Sequence, residues 1–107
     1  MTLSEQEFRL KSDDTLEKTR RELMTLADNE GFELELQNGV LNLVFEEPSE
    51  TKFVVSPNAP VRQIWVSAMG RSYKLPWVPE TGVFALNGEP LAQLLDRLTR
   101  IFVGRSA

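Results

Sequence analysis

The segment Phe32-Glu33-Leu34-Glu35-Leu36-Gln37-Asn38-Gly39-Val40-Leu41-Asn42-Leu43-Val44-Phe45 leaves this chain the least freedom. It alternates apolar and polar residues up to Asn38-Gly39, a dipeptide suited to the two left-handed positions of a type I′ turn, which leads into Val40-Leu41-Asn42-Leu43-Val44-Phe45. A two-residue turn pairs Leu36 with Leu41, Leu34 with Leu43 and Phe32 with Phe45, so every leucine and phenylalanine of the hairpin falls on one face. The other face sets Glu33 and Glu35 opposite Val44 and Asn42. The hairpin therefore has one side made for a core and one made for water.

More strands follow. Pro48-Ser49 marks a turn, Thr51 to Ser56 reads as a third strand, and Pro57-Asn58-Ala59-Pro60 reads as a rigid loop. Arg62 to Ala68 is expected as a fourth strand, Arg71 to Leu75 or Trp77 as a fifth, and Gly82 to Leu86 as a short sixth. A helix precedes the strands. Ser4-Glu5-Gln6-Glu7 has the form of a capping box, and Phe8, Ser12, Thr15, Leu16, Thr19, Leu23, Leu26 and Ala27 recur at helical spacing. Gly31 supplies the stop, so one helix is expected from about Glu5 to Glu30. A second is expected to open at Asn87-Gly88-Glu89-Pro90, with Leu91, Leu94, Leu95, Leu98, Ile101 and Phe102 as its apolar stripe and Gly104 as its end. Helix, consecutive strands, helix implies an α+β two-layer sandwich. Its antiparallel sheet of about five to six strands carries the N- and C-terminal helices on one face. Residues 1–107 suffice for a single domain.

The chain contains no cysteine and no histidine. Zinc fingers, haem held by histidine, a protein-ligated Fe–S cluster and Cys–His or Ser–His catalysis are thereby excluded. Any metal must be held by oxygen, weakly and exchangeably. The net charge of -4 disfavours nucleic acid as a partner and favours cations or a basic protein surface. No window resembles a membrane span or a signal peptide, so a cytoplasmic protein is expected.

The acids cluster. Asp13 and Glu17 are four residues apart and Asp14 and Glu17 three, while Glu33 and Glu35 share the outward face of the strand that follows the helix. With that strand at the sheet edge, the two sets would form one carboxylate ridge, extended by Asp28 and Glu30. Such a ridge either concentrates cations or is simply a solvated face, and Lys18, Arg20 and Arg21 interleave with it. In Gln63-Ile64-Trp65-Val66-Ser67, alternation turns Ile64 and Val66 inward and Gln63, Trp65 and Ser67 to the open face. There Trp65 is either a partner anchor or a ring lying flat on its neighbours. Arg62, Arg71 and Lys74 would frame that face with positive charge. A paired-carboxylate hydrolase would need a cleft, which nothing in the sequence suggests.

These residues resemble a known family. Glu7-Phe8, then Ser12-Asp13-Asp14 and Leu16, look like the opening of the frataxin helix, and Asn38-Gly39-Val40-Leu41 resembles that family's first hairpin. Pro60-Val61-Arg62-Gln63-Ile64-Trp65-Val66-Ser67 is similar to its signature strand, and the likeness runs from about Ser4 to Phe102. Val61 stands where eukaryotic members often carry Asn. The resemblance implies the two-layer sandwich and a non-enzymatic role in iron–sulfur cluster assembly, with Fe2+ or Fe3+ bound at Asp13, Asp14, Glu17, Glu33 and Glu35. It implies contact with the cysteine desulfurase and scaffold machinery through the ridge and through Gln63 and Trp65, with Ser67 and Arg62 beside them. A bacterial, monomeric member is expected.

Overall fold

The computed structural model describes residues 3–104. The chain begins with α1 (Glu5–Glu22), whose N-terminus is closed by the reciprocal Ser4–Glu7 capping box. Helix α2 (Met24–Glu30) follows and ends on Gly31 in the left-handed conformation, φ 78°. The single long helix expected from periodicity is therefore two. At Leu23 the backbone flattens to ψ -3°, which interrupts the helix without ending the helical path, since Ala27 N–H still donates to the Leu23 carbonyl at 2.9 Å. Leu23, Leu26 and Ala27 are all buried on either side of this break.

Strands β1 (Glu33–Gln37), β2 (Val40–Phe45), β3 (Thr51–Asn58), β4 (Gln63–Ala68), β5 (Arg71–Val78), β6 (Val83–Leu86) and β7 (Glu89–Pro90) form one antiparallel sheet in chain order. The first hairpin has the expected register, with Leu36 opposite Leu41 and Leu34 opposite Leu43. Asn38 and Gly39 both have positive φ, as do Met69 and Gly70 at the β4–β5 turn and Asn87 and Gly88 at the β6–β7 turn. Helix α3 (Leu91–Gly104) is the last described element.

Three boundaries differ from expectation. Strand β3 runs on through Pro57 and Asn58, which pair with Ile64 and Gln63 of β4. The pairing of β3 with β2 stops at Val55, so Pro57 has no strand on its second side and its missing N–H costs no ladder bond there. Arg62 belongs to the corner and not to β4: a 3₁₀ turn at Ala59–Val61 leaves it left-handed, φ 54°. Asn87-Gly88-Glu89-Pro90 is a hairpin, with Glu89 opposite Leu86 and Pro90 opposite Ala85, and the helix starts only at Leu91. The seventh strand arises from this pairing.

The core lies between the sheet and the helices. Leu41, Leu43, Phe53, Val55, Ile64, Val66 and Leu75 from the sheet meet Phe8, Leu16, Leu23, Leu94, Leu95, Leu98 and Phe102 from the helices. Phe45 sits at its aromatic centre, 4.7 Å from Phe32, 4.8 Å from Phe53 and 4.9 Å from Phe102 between ring centroids. Ile101, expected in the apolar stripe of α3, is exposed, and Thr99 takes a buried place instead. Among the described residues the opposite face of the sheet carries no helix.

Candidate metal- and partner-binding surfaces

Helix geometry splits the neighbouring acids of α1. Successive residues point about 100° apart around a helix, and Asp13 and Asp14 accordingly flank different hollows. Asp13 lies beside the β1–β2 turn with Leu16, Leu36 and Gly39. Asp14 lines the cleft towards β6 and the start of α3, together with Lys18, Glu22, Val83 and Leu91. Glu17 is held by Arg20, whose Nη2 is 2.6 Å from Oε1 and whose Nε is 3.2 Å from Oε2, and Arg21 stands 3.8 Å away. The hydrogen bonds from Arg20 depress the Glu17 carboxyl below its ordinary value, and the charges of Arg20 and Arg21 add to this against some opposing desolvation.

Glu33 and Glu35 lie on β1, which is the sheet edge. Leu34 and Leu36 turn towards the helices and are half-buried, so the glutamates project from the open face. The strand thus stands between the α1 acids and its own. Asp13 and the β1 glutamates border the edge from opposite sides without converging, Asp14 faces away from it, and among the described residues no three Asp or Glu side chains approach closely enough to hold a metal ion. Asp13, Asp14, Glu33 and Glu35 take no ion-pair partner among the described residues, unlike Glu17. Asp28 and Glu30, at the end of α2, are exposed. An arrangement of this kind enriches cations by its field and binds them loosely; it is not a cage.

On the open face, Trp65 lies between Ser56 of β3 and Lys74 of β5. Its indole N–H donates to Gln63 Oε1 at 2.9 Å, and Lys74 Nζ stands 4.8 Å from its ring centroid. The ring is half-buried and held by its neighbours. Ser67 is exposed in the next row, between Val54 and Ser72. Arg62 is placed elsewhere. Its guanidinium donates to the Leu3 carbonyl at 3.1 Å and to the Ala59 carbonyl, tying the start of the chain to the β3–β4 corner. Gln63, Trp65 and Ser67 therefore share a face, and Arg62 is spent on the fold.

Sequence reasoning missed one surface. A groove of about 620 Å³ runs between the helices, lined by Leu23, Ala92 and Ile101 with Glu22, Asp96 and Arg97 at its rim. The exposed Ile101 was the available signal, hidden because it continued the spacing of the buried stripe. The carboxyls of Glu7, Glu17 and Glu89 are all shifted downwards, first by hydrogen bonds from Ser4, Arg20 and Arg97 respectively. A general acid working at neutral pH needs the opposite shift.

The family model described as the frataxin-like domain matches residues 1–104. The chain belongs to the frataxin family. Among curated relatives, the iron-sulfur cluster assembly protein CyaY of Pseudomonas aeruginosa is 31% identical over 90 residues, covering 80% of this chain and 82% of that one. CyaY of Pseudomonas fluorescens strain SBW25 is 29% identical over 108 residues, covering 97% and 93%. A solved frataxin from Psychromonas ingrahamii superposes with a TM-score of 0.71 at 19% identity, over 95% of this chain and 93% of that one. That likeness shows that this frataxin has the family fold. No helix among its described residues is long and apolar enough to cross a membrane.

Proposed function

We propose that this frataxin serves iron–sulfur cluster assembly as a cytoplasmic, monomeric, non-enzymatic protein that binds iron as cargo and acts as iron donor or as regulator of the cysteine desulfurase–scaffold complex. The observation that carries the reading is the set of unpaired carboxylates at the β1 edge of the sheet, Asp13 on α1 and Glu33 and Glu35 on β1, with Asp14 adding its charge from the other flank of α1. It is supported by relatives named as iron-sulfur cluster assembly proteins. Hard oxygen ligands suit ferrous and ferric ions, and an open border lets them exchange, as a donor or sensor requires. Glu17 contributes field but not a vacant ligand, because Arg20 already occupies both of its oxygens.

Anaerobic titration with ferrous iron, followed by amide NMR, is expected to perturb Asp13 to Glu17 and Glu33 to Glu35 first. Shifts confined elsewhere, or none at millimolar iron, reject the iron-binding part. The Asp13→Lys/Asp14→Lys variant is expected to weaken desulfurase binding, as is rising salt.

A second reading is favoured by the Trp65 face: a metal-independent interaction module using Gln63, Trp65 and Ser67. The half-exposed ring, fixed from one side by Lys74, is a preorganised apolar anchor. Trp65→Ala would then abolish partner binding and leave the iron titration unchanged.

A further inference from the structure

We propose that the free edge of β1 is a strand-addition site for an extended protein segment with basic side chains at alternate positions and apolar ones between them. The hairpin register dictates which groups are available. In a two-residue hairpin the residues flanking the turn, Gln37 and Val40, exchange both backbone hydrogen bonds, and such pairs then alternate with unbonded ones along the ladder. Leu36–Leu41 and Leu34–Leu43 are therefore the unbonded pairs, and the N–H and C=O of Leu34 and Leu36 point out of the sheet. Among the described residues no backbone group outside the ladder bonds to them.

Side chains select the occupant. Leu34 and Leu36 are half-buried beside α1, whereas their partners Leu41 and Leu43 are fully buried, so apolar surface at the edge still lacks a cover. A hollow of about 280 Å³ bounded by Asp13, Leu16, Leu36 and Gly39 lies on that same side. An added antiparallel strand would set its residues opposite Leu34 and Leu36 towards the helix side, and the residues opposite Glu33 and Glu35 towards the open face. The first set should be apolar and the second basic. A second copy of this chain fits poorly, because β1 paired with β1 would bring the glutamates of one copy against those of the other. The same charges that bar self-association admit a basic strand. The site shares Glu33 and Glu35 with the proposed iron border but does not require iron.

The test uses the full chain, metal-free in the presence of chelator, and the peptide acetyl-Lys-Val-Lys-Val-Lys-amide. Saturating peptide is expected to slow hydrogen exchange at the Leu34 and Leu36 amides. The same peptide N-methylated at both Val residues, which keeps its charge but loses the donors, should bind on the order of tenfold more weakly. Glu33→Lys/Glu35→Lys should abolish binding of the unmethylated peptide. Equal binding of the two peptides, unchanged exchange at Leu34 and Leu36, or peptide-independent dimerisation through β1 would each overturn the proposal. A negative iron titration would leave these outcomes as they stand, so the two ideas fail separately.

Discussion

Phe45 is the residue on which the packing beneath the candidate site depends. It is 2% exposed and meets Phe32 just before β1, Phe53 on β3 and Phe102 on α3. Phe45→Ala removes a ring from a place whose neighbouring rings come from three separate segments of the chain and cannot all move inwards together. Truncating a buried phenylalanine costs about 3–5 kcal/mol, from lost transfer energy and the cavity left behind. Three ring neighbours at once place this site at about 4 kcal/mol, since aromatic pairs add to area burial. A domain of this size has only about 5–15 kcal/mol in total. With a urea slope of about 1.4 kcal/mol per molar, the unfolding midpoint should fall by about 3 M. Phe45→Leu, which keeps most of the volume, should cost about 1–1.5 kcal/mol. Equilibrium urea unfolding followed by far-UV circular dichroism measures both, and a cycle with Phe102→Leu should show coupling of about 0.5–1.5 kcal/mol. A loss below about 2 kcal/mol for Phe45→Ala, or equal losses for Ala and Leu, would refute the view that this ring is the hub.

Three further outcomes are expected. Gly39→Ala should destabilise by about 1–2 kcal/mol because alanine resists the left-handed conformation; the new Cβ would meet only Asp13 Oδ1, at an unstrained 3.8 Å, so thermal unfolding should drop without a change at the Asp13 resonances. Glu89 is bound through both oxygens by Arg97 at 2.8 and 2.9 Å, which depresses its carboxyl below the ordinary value. The stability this supplies is present above the ordinary carboxylate value and is lost as pH falls through the folded value. Glu89→Gln should therefore be less stable than the parent at pH 7, by a small amount because Arg97 stays half-exposed, and the difference should shrink as pH falls below the ordinary carboxylate value. In a Trp77→Phe background, Lys74→Gln should raise acrylamide quenching of Trp65 while costing no more than about 1 kcal/mol; unchanged quenching would mean that the ammonium does not shield the ring.

The parts legible in the sequence are those set by period and by turn chemistry. The β1–β2 register follows from alternation on either side of Asn38-Gly39, and the inward Ile64 and Val66 follow from the same rule. The break at Leu23 was not legible, because Leu23, Leu26 and Ala27 keep helical spacing across it. Pro57 misled because proline forbids only the side on which its N–H would be needed. Pro90 suited a first helical position and equally suited the outer strand of a two-residue ladder. At the site, residue type found the acids, but direction came from the structure: Asp13 and Asp14 diverge, Glu17 is taken by Arg20, and Arg62 turns to the Leu3 and Ala59 carbonyls.

The strict chain order of the strands governs how the molecule assembles. Every ladder joins neighbours in sequence, so each hairpin closes over a short loop at low entropic cost and the sheet can grow stepwise from any of its turns. Helix α1 is different, for Phe8 must reach Phe84 and Leu3 must reach Arg62 across most of the chain. The landing of the N-terminal helix therefore closes far longer loops than any strand pairing and carries the greater entropic cost, so that helix works as a clasp laid across the finished sheet.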